Sequence, residues 1–563
     1  MSRWSAALGV AVAVSVTASC GGHIDDPAAF AIDAAIDAPP PVQPPRLVVS
    51  PPPGTFAAPP SVTLTIDDPQ GLLAGPLDLW YTLDGSRPVV GSSMRGQLGT
   101  PIVLDRSRGL RVFAADSHGA IRFTYFGAYL VLDETVATFS SNIPVIVLWG
   151  EPVPPEVKLD TFTESSLSVF LPGAGGRTSW PGPSDADLRA GIKIHGSSTA
   201  NYPKHPWHVE TRGSLDDDDQ PLPLLGMASE SDWILNAPLD FDRALMRNSL
   251  AFTLSNAIDR WAPHTEWAEV FIAGGGETVG MDDYVGVYEV TEMIKRGPDR
   301  VAVAHLESHD VAPPAVSGGY IFKEDRLGPG ETGWPTPRGA GGVLRFTNNY
   351  VLVDPAEADA MPEQKAWIRS YLDDVAMAVT SPTFTDPMGV PYDQLLDVDA
   401  FIDHHIINMF TKNPDAFRLS GYYYKDRGGL LVEGPVWDFD RTMGCSSDGR
   451  AQDPTGWGDT GGIGFFDYGL YGGLFKDPAF AARYFDRLGQ LLKGPLSPQA
   501  TRAWIDDWAA RLAEPAARNF ARWSSYAPRV SYGNEVKILR DWVAARALWL
   551  DDCIQLDDPL TCH

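Results

Sequence analysis

Cysteine is rare in this chain, four of 563 residues, and basic side chains are outnumbered: 44 Lys and Arg stand against 72 Asp and Glu, a formal charge of -28. So acidic a molecule repels polyanions, which argues against a nucleic-acid partner. Cys20, Cys445, Cys553 and Cys562 lack the paired spacing of a zinc site. Neither a Gly-x-Ser-x-Gly elbow nor a His-Glu-x-x-His helix occurs, which disfavours the common serine and zinc hydrolase chemistries. After the first twenty residues no apolar run is long enough for a membrane-spanning helix. What is present is 44% hydrophobic and 10% aromatic residues, enough for two or three packed units. The acidity itself suits solubility, divalent cations or basic protein substrates.

The start of the chain has one basic residue, Arg3, an apolar run from Ala6 to Val16, and Thr17-Ala18-Ser19-Cys20-Gly21. This is the pattern of an export signal over residues 1–20. It resembles a lipobox, with Thr17 where leucine is usual. The resemblance implies a lipidated Cys20 that anchors an exported protein to the bacterial cell envelope or surface; an ordinary cleaved signal peptide is the alternative. Residues 21–45, rich in Pro, Ala and Asp, read as a disordered tether.

Residues 46–133 show short alternations, Val62/Leu64/Ile66, Leu77/Leu79/Tyr81 and Leu110/Val112/Ala114, broken by Pro and Gly. That period predicts a small antiparallel all-β sandwich. Trp80-Tyr81-Thr82-Leu83-Asp84-Gly85-Ser86-Arg87-Pro88, with Pro101–Leu104 and Phe113–Gly119 after it, resembles the chitobiase/hexosaminidase C-terminal-like module. The resemblance implies an immunoglobulin-like spacer without catalysis, with contact to a cell-wall or surface polysaccharide as its lesser use.

From about 140 to 550, strand-like sequence gives way to helical stripes. Ile368, Tyr371, Leu372, Val375 and Val379 share one helix face, and comparable stripes run through 401–410, 481–492, 503–512 and 536–550. A β-rich half followed by a helical half predicts an α+β, two-lobed domain with a cleft. Residues 551–563 form a tail in which Cys562 can pair with Cys553.

The densest chemistry lies in Asn413-Pro414-Asp415, Tyr422-Tyr423-Tyr424-Lys425-Asp426 and Gly434-Pro435-Val436-Trp437-Asp438-Phe439-Asp440. An aromatic strand pair turning at Gly428-Gly429 puts Asp415 and Asp438 at the two ends of one hairpin. Phosphoryl transfer uses such a pair, one carboxylate for the acceptor proton and one for the divalent ion. The competing reading is that both carboxylates cap turns.

Several motifs, in order, resemble the CotH-type (spore coat protein H) atypical protein kinases: Gly191–Ser198 with Pro203-Lys204, Leu224–Met227 through Asp232–Leu235, and Asp242-Arg243 with Met246-Arg247-Asn248. Gly286-Val287-Tyr288 with Glu292, Ser317–Ile321, Asn413–Asp415 and Val436–Asp440 follow. The resemblance implies a two-lobed kinase-like domain over 140–550 that binds ATP with Mg2+ or Mn2+ and phosphorylates Ser or Thr of surface or coat proteins. It makes Asp415 the catalytic base and Asp438, with Asp440 and Ser420, the metal group. Lys204 faces phosphate, Glu292 holds Lys204, and Gly196, Ser197 and Ser198 wrap the phosphates. Arg247 is either a phosphate or interlobe contact or a buried partner of an acid. The chain departs from the family at His195, at His205 and at Ser420, where an asparagine often serves the metal. A non-catalytic surface or carbohydrate-binding protein on the same scaffold is the alternative function.

Overall fold

Alternation builds the first layers. The structure, a computed structural model, describes residues 43–562 apart from 155, 276–277, 329–330, 347, 446–448 and 459–463. The leader, Cys20 and nearly all of the tether lie outside the described residues. Val62, Leu64, Leu79, Leu110, Val112 and Ala114 are fully buried. They fill the space between a three-stranded sheet (Arg46–Ser50, Ser61–Asp67, Ile102–Val103) and a six-stranded one. The larger sheet is not self-contained, because its edge strand, Gly182–Pro183, comes from far along the chain and pairs with Gly54–Thr55.

Seven strands between Val145 and Glu292 then close into a barrel. Its staves run in the order Thr163–Phe170, Ala186–Ile194, Trp207–Arg212, Asp232–Asn236, Tyr284–Glu292, Thr265–Gly274 and Val145–Gly150. All neighbours are antiparallel except Val145–Gly150 with Thr265–Gly274. Closure leaves the barrel no unpaired edge. Ala128, Leu130 and Leu132 pack with Val145, Val147, Phe271 and Tyr284 in one core, so the N-terminal sheets sit directly on the barrel wall. The buried Arg111 guanidinium adds to that junction by donating to the carbonyls of Ser214 (2.8 Å) and Leu215 (2.9 Å).

The rest is a second, five-stranded sheet in the order Trp334–Pro335, Asn349–Asp354, Tyr320–Asp325, Gly421–Lys425 and Leu431–Glu433, surrounded by helices. Among the described residues there are seven α-helices, and with the sheets they make the chain α+β. The stripe Ile368, Leu372, Val375 and Val379 is buried along Pro362–Thr380, with Tyr371 half-buried. Asp397, Asp477, Ser497 and Ser531 cap four of the helices through side-chain oxygens. Cys553 and Cys562 form a disulfide across nine positions. Cys445 is free, and its thiol donates to the Asp440 carbonyl at 2.9 Å. No helix among the described residues is long and apolar enough to cross a membrane.

Candidate active site

The helix Val398–Thr411 stops because Lys412 turns into the left-handed region at φ 49°. The chain then runs through Asn413-Pro414-Asp415 to the hairpin Gly421–Lys425/Leu431–Glu433 and out to Asp438. Of the nine non-glycine residues described with positive φ, Lys412, Phe417, Ser420 and Asp438 lie in this stretch and Met443 follows five residues later. Such backbone costs energy and persists where the surroundings over-determine it, as at binding and catalytic sites.

Packing behind the hairpin fixes the segment after Asp438. The Phe439 amide donates to Asn248 Oδ1 at 2.6 Å. Arg247, buried and paired to buried Asp242 at 2.6 Å, donates through Nε to the Thr442 carbonyl (3.1 Å) and through Nη2 to that of Met443 (3.3 Å). Arg247 is therefore the buried partner of an acid, and its guanidinium is spent inside the fold.

Asp415, Ser420, Asp438 and Asp440 converge. Burial and then the charges of Asp415 and Asp325 push the Asp438 carboxyl up to about 6, against the opposing effects of Arg441 and the Ser420 hydroxyl. The Asp438 residue as a whole is nevertheless exposed, so its carboxyl group is crowded by protein charge while part of the residue meets solvent. Asp440 is pushed up by burial and by the charges of Asp438 and Asp242. Like charges crowded this way are relieved by a cation. Among the described residues no group of three His, Cys, Asp or Glu is arranged around a metal position. Two carboxylates and a hydroxyl nevertheless fit Mg2+, which commonly takes one or two protein carboxylates and fills its shell with phosphate and water. Asp415 itself is held by Arg418 (2.6 Å) and Arg441 (3.1 Å), with Arg450 at 4.0 Å.

Lys204 and Glu292 do not meet. The Lys204 ammonium is buried and donates to the carbonyls of Pro238 (3.0 Å) and Val287 and to Asn519 Oδ1 (3.0 Å). Burial holds its pKa well below the usual lysine value, and the charges that oppose this are those of Glu289 and Asp242. Glu292 pairs instead with Arg300 (2.7 Å) and His264 (2.9 Å). The cause is strand alternation: Glu289 and Glu292 are three apart on Tyr284–Glu292, so they face opposite sides. The expected Lys204–Glu292 pair is corrected accordingly, and Glu289 is the carboxylate on the lysine side.

Gly196 sits at φ 81°, and a Cβ there would lie 2.3 Å from Thr199 Oγ1, so the turn needs glycine. Ser197 and Ser198 are exposed. His195 is pushed down to about 3 by burial and by the charges of His208, Lys158 and Lys323. Lys323 belongs to the second sheet, opposite Tyr422 and 3.5 Å from Asp325, so the turn lies where the barrel faces that sheet. Asp325, in turn, is one of the charges acting on Asp438.

The family model described as CotH kinase protein matches residues 192–550. The chain belongs to the CotH kinase family. The match covers Gly196, Lys204, Glu292, Asp415, Ser420, Asp438 and Asp440 and, by its family, suggests a protein-kinase-like role. A comparison with the curated proteins gives no match. The CotH motifs pointed to Asp415, Ser420, Asp438 and Lys204. The expected contact of Lys204 with phosphate is corrected, since its ammonium is buried on the Pro238 and Val287 carbonyls and Asn519. Glu289, Asp325, Lys323 and the arginines around Asp415 were not singled out by any motif. Glu289 carried one signal, a carboxylate between apolar residues within a strand that has to be buried.

Proposed function

We propose that this CotH-family chain is an exported, atypical protein kinase that uses ATP and Mg2+ or Mn2+ to phosphorylate Ser or Thr of surface or coat proteins. The barrel and the second sheet with its helices act as the two lobes, and the N-terminal sheets as an immunoglobulin-like spacer of the chitobiase-like type. Cys20 carries the lipid anchor. The observation that carries the reading is the proximity of Asp415, Ser420 and Asp440 to Asp438, whose carboxyl is raised to about 6 by burial of the group and by its neighbours' charge.

Asp438 and Asp440, with the Ser420 hydroxyl, hold the cation. Bound there, the ion neutralises phosphate charge and orients the phosphates. Asp415 accepts a hydrogen bond from the acceptor hydroxyl and takes its proton, while the Gly196–Ser198 turn offers backbone N–H groups to phosphate oxygens. Lys204 contributes by position, since its ammonium secures the Val287 and Asn519 groups from behind. Purified protein incubated with labelled ATP and Mg2+ or Mn2+ tests the reading. Asp415→Ala is expected to lose transfer by about 10²-fold or more while still binding nucleotide; undiminished transfer removes Asp415 from the mechanism.

One observation favours the second reading, a non-catalytic surface or carbohydrate-binding protein. Both carboxyl oxygens of Asp415 already accept from guanidinium groups, Arg418 on one and Arg441 on the other, so an acceptor hydroxyl has to share those oxygens with two paired cations. Calorimetry with ATP and Mg2+ separates the two, because a scaffold without nucleotide gives no heat.

A further inference from the structure

Glu292, released from the role expected of it, lines a cavity of about 710 Å³ that contains none of Asp415, Ser420, Asp438, Asp440 or Lys204. Its walls are the ends of two barrel strands, the helices Arg247–Asn256 and Pro498–Arg522, and the turns 225–228 and 298–300. The volume is that of a small-molecule site. We propose that this cavity binds a neutral saccharide ring.

Three features of the lining select that class. First, Trp261, Trp267 and Trp508 all border the cavity, and Trp261 and Trp508 keep part of their surface open. Trp267 supports Trp508 from behind at 5.4 Å between centroids. Flat indoles suit the C–H face of a sugar, which is apolar and broad. Second, the charged groups other than the exposed Asp299 come already paired: Glu292 with Arg300 and His264, and Glu266 with Arg511 at 2.8 Å. An organic anion would meet Glu266, Glu292 and Asp299, and an organic cation would meet Arg300, Arg511 and His264. Neither sign is favoured, and a ligand whose every hydroxyl both donates and accepts satisfies such pairs without leaving a charge uncompensated. Third, the rim is held in a costly shape: Leu225 is a non-glycine residue at φ 52° inside the turn Leu224–Gly226. Strain of this kind is retained where the backbone shapes a ligand site. The cavity is independent of the phosphotransfer reading, because its residues and those of the cleft are different.

The test is calorimetry on the whole soluble chain with chitotriose, cellotriose, maltotriose and adenosine, each to about 10 mM. At least one saccharide is expected to bind, with affinity reduced about tenfold or more in Trp508→Ala and in Arg511→Ala, and unchanged in Asp415→Ala. Arg511→Ala changes a half-exposed residue, so it keeps the test valid if Trp508→Ala fails to fold. The proposal is overturned if no saccharide binds, if binding survives both cavity variants, or if adenosine alone binds and the cavity variants abolish that binding.

Discussion

Replacing Arg247 by methionine takes one charge out of the Asp242–Arg247 pair, in which each side chain is 1% exposed. Removing one partner of a buried pair leaves the other carboxylate without compensation, which costs about 3–5 kcal/mol. The same change strips the carbonyls of Thr442 and Met443 of their donors, so the loop after Asp438 loses its fastener. With a urea slope of about 3 kcal/mol/M, the unfolding midpoint of the transition containing this core falls by roughly 1–2 M. Arg502→Met is the control: its pair with Asp506 is 63% and 44% exposed, and its loss costs at most about 0.5 kcal/mol. Asp242→Asn with Arg247→Met is expected to cost less than the two single changes added together, because the double variant buries no lone charge. Urea titration followed by near- and far-UV circular dichroism reads all four. If Arg247→Met unfolds at the same urea concentration as Arg502→Met, the pair does not hold the loop and the reasoning fails.

Burial alone would raise Asp232, but hydrogen bonds from His208 (2.8 Å) and Lys295 (2.7 Å) bring it down to about 2. Its folded pKa thus lies below its unfolded one, so its contribution of about 2 kcal/mol is present above pH 4 and lost as pH falls towards 2. Asp232→Asn should flatten the acid limb of a stability-versus-pH curve in that window, and an unchanged limb refutes the assignment. Ser420 lies at φ 53°, a conformation asparagine tolerates better than serine. Ser420→Asn should therefore keep the melting temperature and, by adding an amide carbonyl beside Asp438, raise Mg2+-dependent labelling several-fold; a fall in labelling argues against Ser420 as part of the cation group. Gly196→Ala forces the turn away from Thr199 and strains its left-handed backbone, so it should lower stability by about 1 kcal/mol in the melt and weaken ATP–Mg2+ binding at least about fivefold in calorimetry.

Elements with a strong period were legible in the sequence. Val62/Leu64 and Leu110/Val112/Ala114 point into one core, and Ile368, Leu372, Val375 and Val379 do line one helix face. Asp415 and Asp438 were legible as a pair because a single tight hairpin joins them, so short-range sequence sets their relation. Glu292 was not, because choosing its partner required knowing which face of Tyr284–Glu292 it occupies and that Arg300 returns beside it. Closure of seven strands into a barrel was equally hidden, since it depends on a parallel pairing between Val145–Gly150 and Thr265–Gly274, segments more than a hundred residues apart.

That closure bears on how the protein can be divided. The family match begins at residue 192, inside the stave Ala186–Ile194. A fragment cut there would lack Val145–Gly150 and Thr163–Phe170 entirely, turning a closed cylinder into a ribbon with two raw hydrogen-bonding borders. It would also strip Phe271 and Tyr284 of the apolar cover supplied by Ala128 and Leu130. The smallest piece able to keep its shape thus extends well upstream of the portion that sequence comparison recognises.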